Sequence, residues 1–273
     1  MLAELAVQLH QATQLLAQSS RICILTGAGI SAESGIPTFR DKQTGLWEQY
    51  RAEDLASPSA FTKDPQLVWS WYQWRRQLVQ DKVPNPAHIA LAQWQQAQAQ
   101  QLTLITQNVD DLHEQALSQQ PAKHSYQSST AVTHLHGHLW RNRCSQCAAP
   151  YNPQSQSTET AKSPNATIRY SNELLTCSHC GGYIRPDIVW FGESLPAESW
   201  RIAEQAAANC EVFISIGTSS LVYPAAGLAQ LAKQNGAKII EINPNPTPNT
   251  LVDITLAQKA GVVLPLLVQE LIK

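Results

Sequence analysis

Residues 22–41, ICILTGAGISAESGIPTFRD, constrain this chain more than any other stretch. Ile22, Ile24 and Leu25 make a short apolar run with β-branched members, which predicts a central parallel strand buried on both faces. Gly27 and Gly29 follow at once and let the backbone turn tightly and approach an anion closely. Ile30 to Ser34 can open a helix whose unpaired amides and positive end face a pyrophosphate. The stretch reads as a phosphate or dinucleotide loop, although a strand followed by GxG also fits an ordinary strand-to-helix turn. A hydride-transfer unit would continue into a crossover helix and a second strand ending in Asp or Glu about 20 residues on. Here Ser34-Gly35-Ile36-Pro37 breaks the helix, and Asp41, Lys42 and Gly45 carry no apolar period. The loop is therefore expected to fold over its ligand, with Phe39 as a ring and Arg40 as a phosphate partner.

Later apolar runs supply the rest of a sheet. Leu102 to Thr106, Glu211 to Ile216 and Lys238 to Ile242 read as further parallel strands. The polar clusters QNVD (107–110), GTSS (217–220) and NPNP (243–246) then fall at carboxyl ends, where open α/β sheets bind ligands. Leu2, Leu5, Leu9, Leu15 and Leu16 predict a first helix stopped by Ser19-Ser20. Ser57-Pro58 and Asp64-Pro65 each open another, and Pro84 and Pro86 precede one from His88 to Gln101 whose Gln-rich face is solvated. Val252 to Leu256 and Val262 to Leu264 are expected to be edge strands, ahead of a last helix beyond Pro265. This alternation gives an α/β class with a doubly wound, parallel, Rossmann-like sheet. Residues 139–186 interrupt it, so a discontinuous domain, 1–138 and 187–273, is expected to carry a small inserted module. The Ser- and Gln-rich segment 117–132 and the polar insertion 148–176 read as loops.

Cys144-x-x-Cys147 and Cys177-x-x-Cys180 have the spacing by which two knuckles bring four thiolates to one zinc. A redox pair would need a thioredoxin-like context, whereas spacing alone does not separate zinc from an iron–sulfur cluster. Four cysteines leave no open coordination position, so the metal is structural and His179 a bystander. Cys23 and Cys210 lie in or beside apolar runs and read as inert core thiols. His134, His136 and His138 alternate along HLHGHLW and would share one side of an extended strand, which also permits a metal reading.

The net charge of −2 over 273 residues gives no basic footprint, which argues against a direct nucleic-acid ligand. The N-terminal segment lacks the pattern of a signal peptide, and no run reaches the ~20 apolar residues of a membrane span. A cytoplasmic protein is expected, with a monomer plausible and the oligomeric state otherwise unknown.

GAGISAESGIPTFRD closely resembles the signature loop of the sirtuins, and QNVD, His136-Gly137, the two CxxC pairs, VWFGE (189–193), GTS (217–219) and Ile242-Asn243 recur in that family's order. The resemblance spans nearly the whole chain. It implies an NAD-dependent protein lysine deacylase that releases nicotinamide, an O-acyl-ADP-ribose and free lysine, with NAD as co-substrate, one structural zinc and acylated lysine side chains as partners. It further implies that His136 is the general base and that Asn108 and Gln107 order ribose and water. Asp110 would hold the nicotinamide carboxamide against Ile36. Gly27, Ala28, Gly29, Ser31, Phe39 and Arg40 would bind the phosphates and neighbouring ribose, and Gly217, Thr218, Ser219, Asn243 and Ala260 the adenosine end. Val189, Trp190 and Phe191 match the segment that pairs with substrate peptide and lines the acyl-lysine tunnel. Tyr72 and Arg75, three residues apart on a helix, match the YxxR pair of members that remove succinyl and malonyl groups. Protein ADP-ribosyltransfer and a non-catalytic NAD-sensing scaffold are the alternatives, the intact Asn108, Asp110 and His136 arguing against the second.

Overall fold

The computed structural model describes residues 2–38, 48, 50–99, 101–120, 132–151, 173–247 and 250–273. Expectations for Phe39, Arg40, Asp41, Lys42 and Gly45, and for most of both polar insertions, lie outside the described residues. In chain order the described helices are α1 (Leu2–Ala17), α2 (Ala28–Ala32), α3 (Ala52–Leu55), α4 (Pro58–Lys63), α5 (Pro65–Val79), α6 (Pro86–Ala97), α7 (Leu112–Ser118), α8 (Ala197–Asn209), α9 (Gly227–Gln234) and α10 (Ala260–Leu271). The described strands are β1 (Ile22–Thr26), β2 (Leu102–Thr106), β3 (Thr133–His134), β4 (Gly137–Cys144), β5 (Pro150–Tyr151), β6 (Ile184–Ile188), β7 (Val212–Ile216), β8 (Lys238–Ile242) and β9 (Ile254–Leu256).

Two compact units result: Met1–Arg40 with Lys82–His136 and Leu195–Lys273, and Asp41–Asp81 with Gly137–Ser194. The second unit is thus larger than the 139–186 module read from the sequence. It includes Asp41–Asp81, whose partners are distant along the chain and leave no local pattern.

The first unit is built on a six-stranded sheet in the order β3-β2-β1-β7-β8-β9, every neighbouring pair parallel. All five residues of β1 are buried because both faces are covered. Ile22 and Ile24 pack with Ala12, Leu91, Trp94 and Leu264 on one face. Cys23 and Leu25 pack with Ala203, Phe213 and Leu228 on the other, and Cys210 joins them as a second core thiol. Each fully buried aliphatic side chain of this kind contributes about 1.5–3 kcal/mol. The strand order reverses direction between β1 and β7, and open α/β sheets bind ligands beyond the carboxyl ends of strands at such a point.

Local capping explains how the loop after β1 is held. The Asn85 side chain caps α6 by accepting from the Ala87 amide at 2.9 Å, and its Nδ2 donates to the Ile30 carbonyl at 2.7 Å and to Ser34 Oγ at 3.0 Å. Along α6 the glutamines are not uniformly solvated: Gln95 is buried, and Gln98 accepts from the Trp94 indole at 2.8 Å. The end of the chain also differs from expectation. Val262 to Leu264 belong to α10, and Pro265 lies inside that helix rather than before it. Interior proline costs a helix about 3 kcal/mol, but Val263, Leu264, Leu267 and Val268 are all buried on one face and offset it. The Glu33 carboxylate accepts from the Gly261 amide at 3.0 Å and so fixes the start of α10 beside α2.

In the second unit, Ser57 and Asp64 cap α4 and α5 as their Ser-Pro and Asp-Pro pairs predict, each followed by proline in the first turn. β4 pairs antiparallel with β5 and β6. The buried Arg76 locks α5 to β4, its Nε donating to the Leu139 carbonyl at 2.8 Å and Nη2 to Asn142 Oδ1 at 2.7 Å. Trp69 packs with Cys144, Cys177 and Ile184 to form the unit's small core.

Candidate active site

The glycines of the loop act first on the backbone beside them. A methyl group on Gly29 would lie 2.6 Å from the Gly217 carbonyl oxygen, and one on Gly27 2.9 Å from both that oxygen and the Thr218 backbone. Gly217 itself has φ +58, the left-handed region that glycine enters without strain. Only glycines let the loops after β1 and β7 touch. The contact is sealed by the Gly29 amide, which donates to the Gly217 carbonyl at 2.8 Å. The Gly29 amide is thus spent inside the protein, whereas Ala28, first in α2, has no helical acceptor for its amide.

From this contact a hydrogen-bonded network joins most of the first unit's candidate residues. Asn108 Nδ2 donates to Ser31 Oγ at 3.0 Å, and the Asp110 carboxylate accepts from the Leu112 amide at 3.2 Å. Burial pushes the Asp110 carboxyl up from its ordinary value, while the Leu112 amide and Ser31 hold it back. Gln107 Nε2 donates to Thr218 Oγ1 at 3.1 Å, and Asn243 Nδ2 donates to the Thr218 carbonyl at 3.1 Å. Ile36 is buried and donates its amide to the Ser31 carbonyl; Ala260 is buried at the head of α10, and Ser219 is half-buried after Thr218.

The three histidines do not line one extended strand. Gly137, at φ +79, breaks the extended run between His136 and His138, and only glycine fits there because a side chain would strike the Asp187 carbonyl. His136 Nδ1 lies 3.0 Å from the Gln107 carbonyl oxygen, which can only accept, so Nδ1 carries the proton and Nε2 keeps a free lone pair. Burial lowers the His136 pKa against the raising effect of that carbonyl, which keeps the ring neutral. His134 is the opposite case. Its Nδ1 faces the Asn108 carbonyl at 3.0 Å and its Nε2 the Glu114 carboxylate at 2.6 Å, two acceptors that require both nitrogens to be protonated. Burial lowers its pKa, but Glu114, Asn108 and Asp110 together raise it above the ordinary value.

Sequence reading does not single out the layer beneath these residues. His113 Nε2 lies 3.0 Å from Thr26 Oγ1, Thr26 donates to Thr106 Oγ1 at 2.8 Å, and Thr106 Oγ1 accepts from the Asn108 amide at 3.0 Å. All are buried, so Asn108 is held from below by a continuous polar chain. A polar residue ending each of two adjacent buried strands was the available signal.

The second unit holds the remaining candidates. Tyr72 and Trp190 are both buried, and the Trp190 indole donates to the Tyr72 hydroxyl at 2.8 Å. Arg75 is half-buried, with its guanidinium carbon 5.3 Å from the Trp71 ring centroid. Residues 190–193 form a turn, closed by the Glu193 amide on the Trp190 carbonyl at 2.9 Å. The Phe191 amide donates to the Ala56 carbonyl and the Trp190 amide to Glu193, so an added peptide strand cannot use either amide. Val189 is half-buried and Phe191 is 48 % exposed. Arg185, unmarked in the sequence, and Glu193, the end of the VWFGE motif, shape this turn through a bidentate pair at 2.6 and 2.9 Å.

Cys144, Cys147, Cys177 and Cys180 offer sulfur atoms that all lie within 4.8 Å of one another, with 3.4 Å between Cys144 and Cys180 and 3.8 Å between Cys147 and Cys177. A tetrahedral zinc with Zn–S near 2.3 Å needs sulfurs about 3.8 Å apart, so the set fits one zinc with no open position. The small core of Trp69 and Ile184 beside it is too little to hold the knuckles alone. Cys177→Ala is therefore expected to release the metal and to lower the unfolding midpoint, checked by elemental analysis and thermal denaturation. Full stability without zinc, or bound iron with a visible chromophore, would reject the assignment.

Comparison with known proteins gives a consistent result. The Sir2 family model matches residues 27–224. A protein of Methylococcus capsulatus named NAD-dependent protein deacylase is 47% identical over 258 residues, covering 94% of each chain. One of Mycolicibacterium paratuberculosis with the same name is 45% identical over 252 residues, 92% of this chain and 98% of its own. Among solved structures, a Sir2 homolog–NAD complex aligns with a TM-score of 0.80 at 42% identity, covering 96% of this chain and 93% of that one. Sir2Af2 bound to a myristoylated histone peptide aligns at 0.72 and 32% identity, covering 97% of each chain. Among the described residues, no helix is long and apolar enough to cross a membrane.

Proposed function

This chain belongs to the Sir2 family and is an NAD-dependent protein deacylase, and we propose that it removes succinyl and malonyl groups from lysine in preference to acetyl. The products are nicotinamide, an O-acyl-ADP-ribose and free lysine. NAD supplies, when bound, the electrophilic ribose carbon and the nicotinamide that leaves it.

The chain's own residues divide the remaining work. His136 Nε2, unprotonated because Nδ1 is committed to Gln107, takes a proton from a ribose hydroxyl. Asn108, fixed by Ser31 and by the buried threonine pair, orders ribose and water together with Gln107. Asp110 receives the carboxamide beside Ile36. Ala28, Ser31 and the Gly27–Gly29 turn serve the phosphates and ribose, as Phe39 and Arg40 do on the sequence reading. Thr218, Ser219 and Asn243 hold the adenosine end with Gly217 and Ala260. Val189, Trp190 and Phe191 receive the substrate.

The acyl preference rests on one observation: Tyr72 and Arg75 lie on one face of α5, close enough for the arginine charge to act on the buried phenol. A phenol and a guanidinium together suit a terminal carboxylate. The test is mass spectrometry of succinyl-, malonyl-, glutaryl-, acetyl- and myristoyl-lysine peptides incubated with NAD. Faster succinyl and malonyl release is expected, with weaker but measurable deacetylation; an acetyl or myristoyl peptide turned over fastest would overturn the preference.

A further inference from the structure

We infer that Trp190 is a positioning residue for the acyl group: its indole N–H occupies the acceptor side of the Tyr72 hydroxyl and so commits the phenol proton to the substrate's carboxylate. This rests on the acyl preference proposed above. An indole nitrogen donates and cannot accept. At 2.8 Å from Trp190 Nε1, the Tyr72 oxygen must therefore be the acceptor. Among the described residues this is the hydroxyl's one hydrogen bond, which leaves its own proton unspent in a buried site.

Trp190 is held so that this polarity cannot reverse. The Arg185 guanidinium sits 3.2 Å over its ring, and Glu193 pins that guanidinium while accepting from the Trp190 amide at 2.8 Å. Phe61 packs against the indole at 5.2 Å, and Trp71 meets the Tyr72 ring edge-on at 4.7 Å. Burial pushes the Tyr72 hydroxyl up to about 12, against the opposing pull of Arg75 and the indole, so the phenol keeps its proton across the working range. A phenol proton left without an acceptor and a nearby cation together favour an acceptor with negative charge. An acetyl group offers none at that depth. The Arg185–Glu193 pair thereby acts on acyl choice through Trp190, without touching the acyl group itself.

Trp190→Phe keeps an aromatic ring between Phe61 and Arg185 but removes the N–H. With Tyr72→Phe and the double variant it forms a cycle. The readouts are the Kd of a fluorescein-labelled succinyl-lysine peptide, measured without NAD, and kcat/KM for succinyl and acetyl peptides. Trp190→Phe is expected to weaken succinyl-peptide binding about tenfold and to lower succinyl turnover more than acetyl turnover. In the Tyr72→Phe background the same change should add little, because no hydroxyl remains to be oriented. Independent, additive effects, or equal losses for both acyl groups, would show that Trp190 only fills the core. If Trp190→Phe unfolds, replacing Trp190 with 3-benzothienylalanine, which keeps the bicyclic shape without the N–H, runs the same cycle. A parent enzyme with no succinyl preference would overturn the reading and the inference together; a preference with no coupling would overturn the inference alone.

Discussion

His136→Tyr is expected to lower deacylation by about 10²- to 10⁴-fold while zinc content and the unfolding midpoint stay near those of the parent. The expectation follows from which nitrogen is protonated. The Gln107 carbonyl fixes Nδ1–H, so Nε2 is the free base, and a phenol in its place cannot accept a proton near neutral pH. The pH profile carries a second signature. A base works only when unprotonated, and burial holds the folded His136 pKa below the ordinary value of about 6.5. The acid limb of kcat/KM should therefore break below that value. His134 should behave oppositely, because Glu114 raises its pKa. The stability of that ion pair is fully present below the ordinary histidine pKa and lost as pH rises through the higher folded value. Near-parental turnover by His136→Tyr, or an acid limb breaking above the ordinary histidine range, would place the base elsewhere.

The central strands were legible because burial on both faces demands unbroken apolar runs, and ICIL, LTLI, VFISI and KIIEI can hardly be anything else. The cysteine knuckles were legible for a different reason: metal ligation fixes residue type and local spacing at once. Val262 to Leu264 failed because a short apolar run suits a strand and a buried helix equally, and Pro265 marks a boundary only when packing does not override it. The placement of Asp41–Asp81 in the second unit, the Gly29–Gly217 contact and the Arg185–Glu193 pair all depend on non-local approach. So does the difference between His134 and His136. Both sit in the same alternating pattern, yet among the described residues His136 faces a carbonyl and His134 a carbonyl and a carboxylate, so burial lowers the pKa of the first while Glu114 helps raise that of the second.

Arg75→Met is expected to lower succinyl-peptide kcat/KM about 10²-fold, chiefly through KM, and to collapse the preference over acetyl by a similar factor. Methionine keeps the length and apolar body of the side chain and its packing against Trp71, so the change is largely one of charge. In the parent, burial pulls the Arg75 guanidinium below its ordinary pKa. Removing it would leave an arriving carboxylate to shed its water with only the Tyr72 proton in return, which is costly in a buried site. An acetyl group carries no carboxylate and pays no such cost. Binding of a succinyl-lysine peptide measured without NAD separates the two contributions, since there only the acyl contacts count. Equal loss for succinyl and acetyl peptides would mean that Arg75 supports α5 or the fold; an unchanged succinyl KM would mean that the carboxylate is held by some other group.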